Sequence, residues 1–80
     1  MDTHKIVKER ILALCYEKHM TINKLSTESG IAPSSIKNIL YGKSKNPGIV
    51  TIKYLCDGLG ISLYDFFDCE NFKTFEQELK

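Results

Sequence analysis

The stretch Thr21–Gly42, TINKLSTESGIAPSSIKNILYG, decides the fold. Thr21 is a favourable N-cap for a short helix over 22–29, and Gly30 supplies the left-handed residue that ends it. Pro33 suits the first position of the next helix, because the N–H that proline lacks would have no partner there. Apolar residues recur at spacings that let the two helices pack together, namely Leu25, Ile31, Ile36 and Ile39. The stretch therefore predicts two short helices, joined by a tight turn and crossing steeply, with the second presented outward.

Apolar residues at helical spacing predict three more helices around this pair. The first covers residues 3–18, the fourth covers 49–58, and a short fifth contains Leu63, Phe66 and Phe67. Gly42 ends the third helix, a loop follows over 42–48, and Gly58 and Gly60 end the fourth. No alternating strand pattern extends beyond a few residues. The predicted fold is a compact all-α domain of five helices.

The end of the chain is open to more than one interpretation. We predict one domain over 1–68 and a tail over 69–80, which forms either one more short helix or a frayed end. Two phenylalanines in a frayed tail are unusual, which favours docking on this chain or on a partner. The predicted dimer or partner contacts lie on the fifth helix and in this tail: Leu63, Phe66, Phe72, Phe75 and Leu79. For Leu63 and Phe66, a position in the core is the alternative.

The amino-acid composition is typical of one class of protein, the small globular domain. With 80 residues, 42% hydrophobic and 26% charged, the chain matches one globular domain. Its apolar runs are too short to span a bilayer, and Met1 is not followed by an export leader. We therefore expect a cytoplasmic protein whose three cysteines are reduced thiols. Charge is unevenly distributed: residues 21–54 hold five lysines against one glutamate, whereas residues 55–80 are acidic.

This basic middle section suits a surface that binds a polyanion. The exposed face of helix 33–41 is predicted to hold hydrogen-bonding side chains and no acid: Ser34, Ser35, Lys37, Asn38 and Tyr41. A helix is slim enough to enter a major groove about 12 Å wide. The residues themselves therefore favour double-stranded DNA as the partner.

Enzyme chemistry is not indicated. His4 and His19 lie near no nucleophile or carboxylate pair in the sequence, and there is no glycine-rich phosphate loop. The histidines and cysteines also lack the spacing of a zinc site. We predict no catalytic residue, no metal and no cofactor.

The chain resembles the phage-repressor/Cro family of helix-turn-helix regulators, also called XRE-type, over about residues 6–67. The resemblance is carried in register by Leu25, Gly30, Ile36, Gly42, Pro47 and the closing LGISLYDFF. It implies a lambda-repressor-like fold and a small transcription regulator, with repression as the expected role. Ile22 stands where the family often has a phosphate-binding glutamine. An arginine–glutamate pair common in the family is replaced by Cys15 and Leu40.

The resemblance also implies roles for individual residues. Base edges would be contacted by Pro33, Ser34, Lys37 and Asn38, and the amide of Asn38 suits adenine. Backbone phosphates would be held by Thr21, Asn23, Ser35, Tyr41, Lys43, Lys45 and Asn46. A homodimer on a palindromic operator would place two recognition helices about 34 Å apart. The alternative is an antitoxin-like or accessory module that uses the same fold for protein contact.

Overall fold

The computed structural model describes residues 3–42, 47–70 and 72–73, and these residues form five helices without a strand. The helices are α1 (Thr3–Glu17), α2 (Ile22–Ser29), α3 (Pro33–Tyr41), α4 (Ile49–Leu59) and α5 (Leu63–Phe67). The all-α prediction is confirmed: the ends of α1 to α4 lie within one residue of their predicted positions, and α5 contains the three residues predicted for the fifth helix. Among the described helices, none is both long and apolar enough to cross a membrane.

All five helices contribute to one hydrophobic core. α2 lies against both α3 and α4, so the central pair predicted from the sequence is also the centre of the packing. Each aliphatic side chain that is fully removed from water contributes about 1.5–3 kcal/mol. The core consists of Val7, Ile11, Leu14, Cys15, Leu25, Ile36, Ile39, Leu40, Ile52, Leu55, Cys56, Leu59 and Phe66.

Two of the three cysteines are core residues. Burial raises the pKa of the Cys15 thiol and that of the Cys56 thiol, because a thiolate loses solvation in an apolar interior. Both thiols are therefore protonated at neutral pH and pack as small hydrophobic groups. Cys15 shares its cluster with Leu40, so the position of the family's ion pair is filled by two apolar side chains.

The end of the described chain packs on its own domain. Phe66 is completely buried, which removes it from the predicted partner contacts: its ring belongs to the core of its own domain and offers no surface to another chain. The half-buried Phe72 ring lies 4.9 Å from the Phe67 ring and 6.2 Å from the Phe66 ring, centroid to centroid. Phe72 therefore docks within the chain. Phe75 and Leu79 lie outside the described residues.

Arg10 joins the first helix to the last. Its Nε donates to the carbonyl oxygen of Phe66 at 2.7 Å, and its Nη2 donates to that of Asp65 at 2.6 Å. These two carbonyls lie in the last turn of α5, where helix geometry leaves carbonyl groups without intrahelical partners. One guanidinium thus caps a five-residue helix from across the domain.

Gly58 is inside α4, so the prediction that it ends this helix is wrong. The left-handed residue that caps the helix is Gly60, at φ 73°. Gly58 is needed for close approach to α2: a Cβ added there would lie 2.8 Å from the Cβ of Ser29 and 2.9 Å from its backbone nitrogen. The absence of a side chain at this position sets the distance between α2 and α4.

Replacing a glycine inside a helix by alanine usually stabilises a protein, but this contact predicts the opposite for Gly58. Gly58→Ala improves intrinsic helix propensity by about 1 kcal/mol. The clash with the Ser29 backbone forces α2 and α4 apart, however, and overpacking of this kind costs about 1–3 kcal/mol. We expect a net loss of unfolding free energy, measured by urea denaturation. Gly48→Ser, which adds an N-cap side chain where a Cβ has open space, is the control and is expected not to destabilise. A more stable Gly58→Ala variant would contradict this account.

Candidate nucleic-acid interface

The turn between α2 and α3 is held by hydrogen bonds that fix the angle between the two helices. Gly30 adopts φ 77°, and its N–H donates to the carbonyl of Ser26 at 2.9 Å. The Ser26 hydroxyl donates to the carbonyl of Ile31 at 2.5 Å, and the Ile31 N–H donates to the Ser29 hydroxyl at 3.3 Å. The sequence indicated Gly30 but not the two serines, although hydroxyls in the turn before a glycine cap are a recognisable signal.

α3 is divided into a buried stripe and an exposed face. Ile36, Ile39 and Leu40 are in the core, at 0%, 3% and 1% exposure. All six α3 side chains with a proposed DNA role are exposed, which agrees with the expected outward presentation: Pro33, Ser34, Ser35, Lys37, Asn38 and Tyr41. Lys37 and Asn38 lie three and four residues after Ser34, and Tyr41 lies four and three residues after them, so the four residues share one side of the helix.

The beginning of α2 has donors available for an anion. The Thr21 hydroxyl oxygen accepts from the backbone N–H of Lys24 at 3.0 Å. A hydroxyl that accepts can still donate its own proton, and the first backbone N–H groups of a helix have no intrahelical acceptor. Ile22, at the family's glutamine position, packs against the core instead, while the Asn23 side chain is exposed. Thr21, Asn23 and the helix N-terminus are therefore the groups at this end that suit a phosphate.

α3 begins without a side-chain cap. Its N-cap residue is Ala32, whose carbonyl accepts from the N–H of Ser35 at 3.0 Å. The N–H of Ser34, in the first turn, has no intrahelical acceptor, and this helix end carries partial positive charge. An aspartate cap would have placed negative charge at this end, so the uncapped start keeps it favourable for an anion.

The charges of the two helices favour a polyanion. Glu28 is the only acidic residue between Thr21 and Gly42, and its carboxylate lies 2.9 Å from the Lys24 ammonium. This exposed pair contributes little to stability, but it neutralises the acid locally. Lys37 projects from α3 without a carboxylate partner among the described residues. Three further predicted backbone contacts, Lys43, Lys45 and Asn46, lie outside the described part of the chain.

Comparisons with known proteins agree with this geometry. The family of Cro/C1-type HTH DNA-binding domains matches residues 10–71. The chain is 40% identical over 53 residues to the HTH-type transcriptional repressor RghR of Bacillus subtilis (strain 168). This match covers 66% of the chain and 39% of the repressor, so the chain spans well under half of that relative's length.

A solved structure extends the similarity to nearly the whole fold. The crystal structure of the prophage Lp1 protein 11 superposes with a TM-score of 0.78 at 37% sequence identity. The match covers 90% of the present chain and 96% of that protein. Because the family match spans most of the chain and coincides with the exposed polar face of α3, the chain belongs to the Cro/C1-type helix-turn-helix DNA-binding domains.

Proposed function

We propose that the protein is a sequence-specific transcription regulator, acting as a repressor, that binds a palindromic DNA operator as a homodimer. The observation that carries this proposal is the division of α3, whose apolar stripe is in the core and whose outward side is polar and free of acids. At nine residues the helix is about 13.5 Å long, which matches the width of a major groove. Such a regulator works where the DNA is, in the cytoplasm.

The direct test is selection of bound sequences from a pool of random duplexes at two salt concentrations. We expect an enriched inverted repeat whose half-sites are one helical turn apart. Weak, salt-sensitive binding without an enriched motif would contradict sequence-specific regulation. The selected duplex then serves as the ligand for every variant below.

Asn38 and Asn23 form a matched pair of exposed amides with different proposed roles. Asn38→Ala removes a proposed base contact, so discrimination at one base pair is expected to fall by about 1–3 kcal/mol. Asn23→Ala removes a proposed phosphate contact and should weaken binding to all sequences about equally. Competition titrations with single-base operator variants measure both effects. If the two alanine variants change base preference to the same extent, the assigned roles are wrong.

Thr21 allows helix capping to be separated from phosphate binding. Thr21→Val removes the cap and the donor, so unfolding free energy should fall by about 1 kcal/mol and DNA affinity should fall with it. Thr21→Asp retains a capping oxygen but presents a negative charge to the phosphate, so stability is kept while DNA affinity is lost. Thermal unfolding and fluorescence anisotropy report the two quantities. An aspartate variant that binds DNA as tightly as the parent would refute the contact.

We place the dimer interface on the exposed apolar surface of α4 and α5. Ile49, Val50, Tyr54 and Tyr64 are between 51% and 77% exposed, and exposed apolar patches mark interaction sites. A shallow cavity of about 510 Å³ adjoins them. The two charged residues in its lining, Asp68 and Lys73, are paired with each other at 3.0 Å, so the cavity presents no net charge that would repel a second copy related by a two-fold axis. The cavity is lined by Ile49, Leu63, Tyr64, Phe67, Asp68 and Lys73.

Charged substitutions test this interface. Tyr64→Lys places an ammonium in the proposed apolar contact, and we expect it to convert the dimer to a monomer in sedimentation equilibrium. Tyr16→Lys is the matched control, because Tyr16 lies on α1 at 86% exposure and is not part of the cavity. Two variants with the same oligomeric state would exclude the α4–α5 surface as the interface.

A further inference from the structure

The first two turns of α1 contact the last turn of α3. The His4 Nε2 lies 2.9 Å from the carbonyl oxygen of Ile39, a hydrogen bond between residues 35 positions apart. The Lys8 ammonium lies 5.5 Å from the centroid of the Tyr41 ring. His4 and Lys8 are four residues apart and therefore share one side of α1. This side of α1 lies along the C-terminal end of the helix that carries the proposed base contacts.

Tyr41 lies on the same side of α3 as the proposed base contacts. It follows Ser34, Lys37 and Asn38 at helical spacing, one turn beyond the proposed base contacts, and 65% of its surface is exposed. Because α3 is about as long as the groove is wide, its C-terminal residue would lie near one of the phosphate walls. A cation stacked on the Tyr41 ring would therefore also lie near a phosphate wall.

A cation at this end of α3 favours the approach of DNA. The C-terminus of a helix carries partial negative charge from carbonyl groups, which disfavours a phosphate. The Lys8 ammonium offsets this charge. Stacking on an aromatic face uses the charge of the ammonium but leaves its N–H groups able to donate. Lys24, Lys53 and Lys73 each pair with a carboxylate, whereas Lys8 has no such partner among the described residues.

We propose that Lys8, held by the Tyr41 ring, is a further DNA-backbone contact that extends the interface from the helix-turn-helix to α1. Lys8 belongs to neither α2 nor α3, and its position depends on Tyr41. The inference rests on the proposed DNA binding, and it assigns a distinct phosphate contact within that surface.

The salt dependence of binding to the selected duplex tests the contact. Each phosphate contact contributes about 0.9 to the slope of log affinity against log salt concentration. Because the bound dimer carries two copies of Lys8, we expect Lys8→Gln to reduce the magnitude of this slope by about 1.8 and to weaken binding about sixtyfold at ~0.1 M salt. Lys53→Gln, which removes the same formal charge from an exposed lysine of α4 that is paired with Asp57, is the control and should leave the slope unchanged.

The dependence on Tyr41 is tested by repeating Lys8→Gln in two backgrounds. Tyr41→Phe keeps the ring, so Lys8→Gln should still reduce the slope fully. Tyr41→Leu removes the ring, and there the effect of Lys8→Gln should largely disappear. If Lys8→Gln gives the same slope as Lys53→Gln while the parent still binds its operator, this contact is refuted and the proposed function stands. If the parent selects no operator, the proposed function itself fails.

Discussion

Burial of one stripe of α3 is the constraint on which the rest of the structure depends. The core contains three side chains from α3: Ile36, Ile39 and Leu40. Their burial fixes the rotation of the helix about its axis. The rotation in turn determines which residues face outward. The polar side of α3 is thus oriented by hydrophobic packing on its opposite side, and the hydrogen-bonded turn at Gly30 sets only its direction.

The sequence was sufficient for what depends on local pattern. Periodic apolar residues, the Thr21 cap, the glycine at residue 30 and the proline at residue 33 each act within one helix or turn, and the five helices follow from them. The exposed polar face of α3 could be predicted for the same reason, since the side of a helix that is not apolar faces water.

What the sequence did not reveal are contacts between residues distant along the chain. Arg10 reaches the carbonyls of α5 across 56 positions, and no local signal marks it. Gly58 resembled a helix terminator because glycine usually is one, but the neighbour that requires it, Ser29, is on another helix. Tyr41 was assigned to phosphate from the sequence and Lys8 was given no role, because only the packing of α1 on α3 brings them together.

Because one side of α3 is exposed and the other is buried, the two sides are free to diverge in sequence to different extents. Its outward residues Ser34, Lys37 and Asn38 are exposed and contribute nothing to the core, so exchanges among them change the proposed recognition surface with little effect on folding. The inward residues are constrained by close packing and tolerate few changes. Under the proposed function, a duplicated copy of such a gene acquires a new operator through a few surface substitutions, while its core is inherited unchanged.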